Sequence, residues 1–493
     1  MAEPIRFDEA RCYEALSSRD ARFDGQFIAA ITSTGIYCRA SCPAPVRPKR
    51  ENVRLFPTAA AAQAAGFRSC KRCRPDASPG SPEWDRRADL VGRAMRMIEA
   101  GDVDRMGVRG LADALHVSER HLHRTLVAAV GAGPIALARS HRANLARILL
   151  ETTTTPVTDV AFAAGFSSVR QFNDTIRAVY DRTPSELRKA RSHAGPRPAE
   201  SDVELTVRLA VRQPYDHGSM FRWFESHRVP GVTSGDREHL ARSLRLPGGP
   251  ARVSIREEAS ELWASFSLST FADLAPAIAI VRRMFDLDAD PVRINEHLLS
   301  EPTIAPLRAN GPGVRVPGSA DGVETAIGAI VSQQVSVAAA RTLLGRIVER
   351  FGTPIDHGEV TALFPDAAVI ADGDLEGIGL TGARSRTVRS LAEGVASGVV
   401  DLDGLSDHAD VRRSLLALPG VGPWTADVIA LRVLRDPDIL LDTDLIIRRQ
   451  LESLGASPDA RDRWRPWSSY VTMTLWQTYA SANVPPATGK APR

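Results

Sequence analysis

The sequence has no long apolar stretch. None of its 493 residues lies in a run of about 18 apolar residues, the length that a membrane-spanning helix needs. No apolar segment of the kind that directs export follows Met1. With 43% hydrophobic and 25% charged residues, the composition is typical of soluble globular proteins. We therefore expect a cytoplasmic protein with no membrane partner, and the length predicts two to four domains.

Cysteine is absent after residue 73. The five cysteines cluster near the start of the chain, which in a cytosolic protein favours a metal site or a reactive thiol over disulfides. Two close pairs, separated by a loop, have the ligand spacing of a tetrahedral zinc site, and the alternative is a set of unrelated buried cysteines. The predicted Zn²⁺ ligands are Cys38, Cys42, Cys70 and Cys73, whereas Cys12 lies outside the pattern and is predicted to be a core thiol.

Net charge is small, at +3, but it is unevenly distributed. Residues 1–190 carry an excess of eight positive charges, and residues 191–493 carry an excess of five negative charges. The basic half is typical of a nucleic-acid partner. Nine lysines and arginines lie within residues 36–76, against two acidic residues. We expect this segment to contact DNA phosphates, and the alternative is a solvated basic surface.

Composition divides the chain further. Segments rich in Pro, Gly and Ser at 77–84 and 191–200 are predicted linkers, and the segment between them has a helical pattern. Apolar residues alternate from Val203 to Val211, as in a half-buried strand, and the pattern is helical again from about 275 to 480. The predicted domains span residues 1–80, 84–190, 201–275 and 276–482.

The cysteine-rich segment "RFDGQFIAAITSTGIYCRASCPAPVRPKRENVRLFPTAAAAQAAGFRSCKRCRPD" resembles the N-terminal zinc domain of the Ada family over residues 8–80. The resemblance implies that Cys38 takes a methyl group from a methylphosphotriester in alkylated DNA. A zinc-bound thiolate is a suitable nucleophile for that transfer. The acceptor is consumed, so this step is stoichiometric.

Two segments, "VRGLADALHVSERHLHRTLVAAVGAGP" and "PVTDVAFAAGFSSVRQFNDTIRAVYDRTPSELR", each read as a helix, a turn and a capped second helix. The caps are Ser118 in the first and Ser167 or Ser168 in the second. Plain helix packing is the alternative, but the pair resembles the AraC-type double helix-turn-helix. That resemblance implies promoter DNA as a partner, with RNA polymerase as a further candidate, and a nucleoid-associated protein. Residues predicted to face a major groove are Glu119, Arg120, His123, Arg124, Arg170, Gln171 and Asn173.

Residues 203–480 resemble the AlkA-type 3-methyladenine DNA glycosylases. The matching segments include "VRLAVRQPYDHGSMFRWFESHRVPGV", "AIGAIVSQQVSVAAARTLLGRIVERFG", "LPGVGPWTADVIALRVL" and "ILLDTDLIIRR", in the family's order. The resemblance implies a small β-rich TBP-like domain followed by a helical helix-hairpin-helix domain. The absence of cysteine after residue 73 excludes O6-methylguanine transfer to a second cysteine and a cysteine-bound iron–sulfur cluster.

The hairpin "LPGVGPWTA" combines Gly420 and Gly422, expected at backbone positions that few other residues tolerate, with amides at a helix N-terminus, a shape suited to a phosphate. In strand-cutting glycosylases of the endonuclease III type a lysine follows this hairpin as a Schiff-base nucleophile. Here Trp424 takes that place, which predicts water as the nucleophile and an intact abasic strand. The predicted DNA contacts of this half are Gly420, Gly422, Thr425, Gln333 and Gln334, and Gln334 stands where the family has a hydrophobic wedge.

Two acids, Asp442 and Asp444, follow the hairpin by about twenty residues. The resemblance assigns the catalytic role to Asp444, although Asp442 stands where the family has proline. A carboxylate there stabilises oxocarbenium character on the sugar and orients water. The alternative is that both acids only cap helices. Trp424 and Trp476 are expected to form an aromatic pocket for a flipped alkylated base, and core packing is the alternative.

The sequence therefore predicts a multidomain α+β protein: a four-cysteine zinc module, an all-α double helix-turn-helix domain, a β-rich TBP-like domain and a helix-hairpin-helix glycosylase domain. Its expected function is alkylation repair combined with transcriptional regulation. The main alternative is a transcription factor whose glycosylase-like half is inert. A further alternative is a glycosylase with lyase activity, which requires a nucleophilic amine at the site.

Overall fold

The fold was analysed in a computed structural model, which describes residues 8–482 except 21–22, 74, 76–89, 154, 190–202, 210 and 404–405. The tail after residue 482 and the two predicted linkers, 77–84 and 191–200, lie outside the described residues. Within the described part, no helix combines the length and the apolarity needed to cross a bilayer.

The cysteine-rich module is built on a four-stranded sheet with the order β3-β1-β2-β4. Strands β2 and β4 pair in parallel, so their carboxyl ends lie side by side at one edge of the sheet. Because β2 ends at Cys38 and β4 leads into Cys70, this pairing brings two of the predicted ligands together. The elements are α1 (Glu9–Ser18), β1 (Ile28–Ile31), β2 (Ile36–Cys38), β3 (Val53–Phe56), α2 (Ala59–Ala64) and β4 (Arg68–Ser69).

The next part is entirely helical among its described residues, as predicted. Ser118 and Ser168 each accept a hydrogen bond from an amide in the first turn of the following helix, so Ser168 is the second cap. The two turns contain His116 and Gly165, both with positive φ. The helices are α3 (Leu90–Glu99), α4 (Asp102–Ala114), α5 (Glu119–Val130), α6 (Pro134–Thr152), α7 (Val157–Ala163), α8 (Val169–Tyr180) and α9 (Pro184–Lys189).

A five-stranded antiparallel sheet with the order β5-β9-β8-β7-β6 follows. Alternating apolar residues of its first strand, including Leu205 and Val207, are buried in the same hydrophobic cluster as Leu149 and Phe172 of the helical part. The sheet and the second helix-turn-helix therefore share one core rather than having separate cores. The elements are β5 (Val203–Leu209), α10 (His217–Ser226), β6 (Thr233–Gly235), β7 (His239–Leu246), β8 (Gly249–Glu258) and β9 (Glu261–Leu268).

The remaining chain is mainly helical and contains a large core of its own. Its helices are α11 (Leu274–Met284), α12 (Pro291–Leu298), α13 (Ala305–Asn310), α14 (Gly322–Val331), α15 (Val337–Phe351), α16 (Ala367–Asp372), α17 (Gly382–Ala396), α18 (His408–Leu416), α19 (Pro423–Arg432), α20 (Leu445–Ser453), α21 (Pro458–Arg463) and α22 (Ser468–Ala482).

The helical pattern expected from about 275 to 480, with Gly/Pro loops between helices, is interrupted by a β-hairpin among the described residues. Strands β10 (Thr353–His357) and β11 (Val360–Leu363) form a hairpin whose turn contains Gly358 at φ +68°. Ser243 of β7 donates a 2.7 Å hydrogen bond to the carbonyl of Ala362, which fixes the hairpin to the five-stranded sheet. These strands are too short for their alternation to be visible in the sequence.

Candidate functional site

The four predicted zinc ligands come together. The Sγ atoms of Cys38, Cys42, Cys70 and Cys73 all lie within 4.8 Å of one another, and the Sγ atoms of Cys42 and Cys70 are 4.0 Å apart. Tetrahedral zinc with Zn–S bonds of about 2.3 Å places its sulfurs about 3.8 Å apart, so the cluster fits the metal. Cys12 is buried away from this cluster, and its burial raises the pKa of its thiol to about 11, as for a core residue.

A cleft of about 1500 Å³ lies between the helix-hairpin-helix region and α10 of the sheet region. Its described lining contains no lysine. Every residue of the second half that was predicted to bind DNA, hold the base or catalyse lies on its wall. These residues are Asp444, Trp424, Trp476, Gly420, Gly422, Thr425, Gln333 and Gln334.

Asp444 is the N-cap of α20, and several N–H groups converge on its carboxylate. Its Oδ1 accepts hydrogen bonds from the amides of Ile446 and Ile447 at 2.9 and 3.1 Å. The indole N–H of Trp424 donates to Oδ2 at 3.0 Å, and that of Trp476 approaches Oδ1 at 3.4 Å. The carboxylate is thus held at the edge of the cleft with both oxygens oriented.

The segment before Asp444 is fixed by the last helix. The amide of Ile439 donates to Ser469 Oγ at 2.9 Å, and the amide of Leu441 donates to Thr472 Oγ1 at 3.2 Å. Both acceptors are fully buried on α22, which also carries Trp476. One helix therefore sets the position of the carboxylate and of one tryptophan beside it.

Asp442, the other acid of this segment, is placed differently. Its side chain is exposed and lies 3.8 Å from Arg461, and it is not part of the cleft lining. The geometry therefore favours Asp444 over Asp442 as the acid that meets a bound nucleotide.

The hairpin glycines have different reasons for being glycine. Gly420 has φ +81°, and a Cβ there would lie 2.0 Å from Thr387 Oγ1, so no other residue fits without movement. Gly422 has φ −94°, which any residue adopts, so the expectation of special backbone geometry is wrong there. Nothing lies within 4 Å of the place that its Cβ would take, which leaves the N-terminus of α19 open.

Gln333 and Gln334 occupy the turn between α14 and α15. The side-chain amide of Gln333 donates to Thr425 Oγ1 at 2.8 Å and approaches the carbonyl of Gly420 at 3.4 Å, so it ties this turn to the hairpin. Gln334 is exposed and has φ +55°, an uncommon conformation for a residue with a side chain. Its side chain is at the surface of the cleft, at the predicted wedge position.

One wall of the cleft, on the side of α10, was not predicted from the sequence. Trp223 on α10 lies 5.6 Å from Trp476, measured between ring centroids, and His227 stacks on Trp223 at 4.1 Å. The guanidinium of Arg432 lies 5.5 Å from the Trp223 ring. Trp223 lies in a segment that the sequence assigns only to the β-rich domain. Its place on the cleft wall depends on packing between parts of the chain that are distant in the sequence.

The predicted major-groove residues lie far from this cleft in the sequence, on α5 and α8. Arg120, Arg124, Arg170 and Gln171 are all exposed. Gln171 accepts a hydrogen bond from Ser167 at 3.0 Å through its side-chain oxygen. These side chains are therefore available to a partner, as a recognition helix requires.

Comparisons with known proteins agree with this architecture. The family model for the metal binding domain of Ada matches residues 11–76, a helix-turn-helix domain model matches residues 111–190, and the AlkA N-terminal domain model matches residues 206–321. The chain is 47% identical over 480 residues to a "Probable bifunctional transcriptional activator/DNA repair enzyme AlkA" from Mycobacterium tuberculosis, covering 96% of each chain.

Two further relatives match the second half. A "DNA-3-methyladenine glycosylase 2" from Escherichia coli is 28% identical over 277 residues, which cover 55% of this chain and 96% of that protein. The structure of a 3-methyladenine DNA-glycosylase from Archaeoglobus fulgidus covers 57% of this chain and 100% of its own, with a TM-score of 0.50 and 17% identity. That structural likeness concerns the fold alone.

The fold, the four-cysteine cluster and the cleft together define a DNA repair protein in which a glycosylase is joined to a zinc-containing transcriptional regulator. The chain belongs to the Ada–AlkA family of bifunctional transcriptional activators and DNA repair enzymes. Zn²⁺ is the metal of its four-cysteine cluster.

Proposed function

We propose that the cleft of the second half excises alkylated bases from DNA by hydrolysis, as a monofunctional 3-methyladenine-type glycosylase. The observation that carries this proposal is the oriented carboxylate of Asp444 between two tryptophans. When the bond from C1′ to the base breaks, its electrons leave with the base and the sugar gains oxocarbenium character. Asp444 stabilises that charge and accepts a hydrogen bond from the water that adds to C1′, and the proton that this water loses passes to the carboxylate and then to solvent.

The aromatic side chains give the cleft its preference for damaged bases. Trp424 and Trp476 present π surfaces, and an alkylated purine carries a positive charge that such surfaces attract more strongly than they attract a neutral base. The same charge makes the base a better leaving group, so little acid catalysis by the protein is needed. The open N-terminus of α19 beside Gly422 would hold a DNA phosphate.

A lyase reaction is not supported by the residues present. The sequence contains no lysine between Lys189 and Lys490, and Trp424 occupies the hairpin position of the lyase lysine. The amine that a Schiff base requires is therefore lacking between residues 190 and 489, which include the whole described lining of the cleft. We infer that the abasic strand is released intact.

The zinc module would accept a methyl group at Cys38. When Zn²⁺ is bound by the four cysteines, its ligands are held as thiolates, the nucleophilic form. Cys38 Sγ attacks the methyl carbon of a methylphosphotriester. The new S–C bond forms as the C–O bond breaks, and the phosphate oxygen keeps the electron pair, which leaves an ordinary phosphodiester anion.

The helical part would bind promoter DNA through the exposed residues of α5 and α8, and activation would bring RNA polymerase as a second partner. A protein with these DNA-directed parts would work in the cytoplasm, associated with the nucleoid. A regulator with an inert glycosylase half is the competing function.

The proposal is tested by measuring release of 3-methyladenine from methylated duplex DNA by the full chain. We expect Asp444→Asn to lower kcat by about 100-fold or more, the cost of removing a preorganised electrostatic group. Asp442→Asn is the matched control and should stay close to the wild type, because Asp442 does not line the cleft. Absence of release by the wild type would instead support the inert alternative.

A further inference from the structure

The loop between Cys38 and Cys42 is organised by one buried acid, Asp24. Asp24 Oδ1 accepts a hydrogen bond from the amide of Ser41 at 2.9 Å, and Oδ2 accepts one from the Ser41 hydroxyl at 2.5 Å. Asp24 Oδ2 also lies 3.3 Å from Nη1 of Arg39. Only 9% of Asp24 is exposed, so these bonds form in a largely desolvated place. The conformation of the loop that follows Cys38, the predicted methyl acceptor, therefore depends on the position of Asp24.

The position of Asp24 is in turn linked to the glycosylase half. Arg212, which follows β5, donates from Nε to the backbone carbonyl of Asp24 at 3.3 Å and from Nη1 to the carbonyl of Asp288 at 2.8 Å. Arg212 is 8% exposed, and its burial lowers its pKa to about 10. A buried guanidinium must satisfy its donors, and here the zinc module supplies one of the acceptors.

The backbone of Arg212 accepts a hydrogen bond from a residue that lines the cleft. Arg315 donates from Nη2 to the backbone carbonyl of Arg212 at 2.9 Å, and Arg315 itself lines the cleft that contains Asp444. A continuous set of hydrogen bonds thus runs from Ser41 through Asp24, Arg212 and Arg315 to the cleft wall.

A second contact joins the zinc module to the glycosylase half. Arg11 on α1 forms an ion pair with Glu296 on α12, in which one guanidinium nitrogen lies 2.7 and 2.8 Å from the two carboxylate oxygens. Both side chains are about half exposed, so the pair alone contributes little. It is nevertheless directional, and it bridges two segments 285 residues apart in the sequence.

We propose that the zinc module docks on the glycosylase half through these contacts and that the docked surface holds in place the loop that follows Cys38 and leads to Cys42. Arg212 and Glu296 are then positioning residues for the methyl acceptor, although they lie in the half of the chain that contains the glycosylase cleft. Because coupling between two sites is reciprocal, a change in that loop also alters the docking of the zinc module. The effect on methyl transfer rests on the proposed acceptor role of Cys38, whereas the docking does not.

The test is a charge exchange in the full chain. Arg11→Glu and Glu296→Arg are made singly and together, and hydrogen exchange is followed in the peptide containing the Ser41 amide. Each single variant replaces the weak attraction by a repulsion between like charges and should speed that exchange about fivefold, the factor that corresponds to roughly 1 kcal/mol of lost docking. The double variant should restore the wild-type rate, because it rebuilds the ion pair with reversed sign. Glu393→Arg on α17, exposed and distant from the contact in sequence, controls for the added positive charge.

Methyl transfer from methylphosphotriester DNA is measured on the same proteins. The transfer rate should fall with each single variant in proportion to the loss of protection at Ser41 and recover in the double variant. Unchanged Ser41 exchange in the single variants, or failure of the double variant to recover, would overturn the docking. Faster exchange without slower transfer would overturn the positioning role. A wild type that transfers no methyl group would contradict the acceptor assignment itself, and Ser41 exchange would still decide the docking.

Discussion

The indole N–H of Trp424 donates to the carboxylate of Asp444 across 3.0 Å. The two residues are 20 positions apart and lie at the N-termini of different helices, α19 and α20. In a lyase-type glycosylase the hairpin position would carry an amine, but here it carries a neutral donor that orients an acid. We propose two functions for Trp424: its ring would face the base, and its N–H would orient the carboxylate that we propose to be catalytic.

These two functions can be separated by Trp424→Phe, which keeps an aromatic ring but removes the donor. We expect kcat for base excision to fall about tenfold, as for the loss of one hydrogen bond of about 1.4 kcal/mol to a charged group, with little change in KM. Trp476→Phe is the comparison, and its effect should be smaller because its N–H lies 3.4 Å from the carboxylate. Equal kcat values for Trp424→Phe and the wild type would show that the hydrogen bond has no catalytic role.

The bridge from Gln333 to Thr425 makes a prediction about DNA binding. Gln333→Ala removes the 2.8 Å bond that ties the turn of Gln334 to the hairpin, so both DNA-facing segments lose their fixed spacing. We expect KM for damaged duplex DNA to rise several-fold, with a smaller change in kcat. Thr425→Val should have a similar effect, and the double variant should be no worse than either single one, because each removes the same contact. Additive effects in the double variant would mean that the two residues act separately.

Removing zinc should affect one activity and spare the other. The four cysteines converge within 4.8 Å, and a module this small depends on its metal for folding. Chelation, or Cys42→Ser, should abolish methyl transfer and unfold the module, as seen by circular dichroism. Base excision should persist, because no zinc ligand lines the cleft. Cys12→Ser is the control, and its effect should be limited to stability. Loss of excision on chelation would contradict this division.

Acid should weaken the helical part through His141. Burial, together with the nearby charges of Arg282 and Arg142, lowers the pKa of His141 to about 4, whereas the unfolded value is about 6.5. As pH falls from 6.5 towards 4, the unfolded chain takes up this proton before the folded chain does, so stability is lost in that window. Between pH 7 and pH 5 the loss is about 2 kcal/mol.

The measurement is the urea midpoint of wild type and His141→Phe at both pH values. The variant should lose less stability on acidification than the wild type by roughly this amount. An identical pH dependence for His141→Phe and the wild type would show that His141 is not the group responsible.

Local signals in the sequence predict the parts that depend on neighbouring residues. The cysteine spacing predicts the metal cluster, the serine caps predict the recognition helices, and Gly420 predicts the turn of the hairpin. The serine caps and the turn depend on chemistry within a few residues, and the cysteine pairs show their ligand spacing although 27 residues separate Cys42 from Cys70. The fold class follows from the order of such features along the chain.

Features that need distant segments were not predictable in the same way. Gly422 looks equivalent to Gly420 in the sequence, yet its backbone is ordinary and only the space around it is special. Trp223 lies on the cleft wall because α10 packs against α22 of the glycosylase domain, and no sequence motif marks it. The sequence assigns the catalytic role to Asp444 rather than Asp442 only through the resemblance, because the positions of the two acids, within and outside the cleft lining, depend on the tertiary fold.

We propose that Asp444 directs water to C1′ of the sugar and that no protein amine attacks it. The most direct measurement is a single-turnover reaction of the full chain with duplex DNA containing one alkylated base, in the presence of borohydride, followed on a denaturing gel. The account predicts base release with an intact abasic strand and no covalent protein–DNA adduct, and release at least about 100-fold slower for Asp444→Asn. A trapped adduct, a cleaved strand, or undiminished release by Asp444→Asn would contradict it.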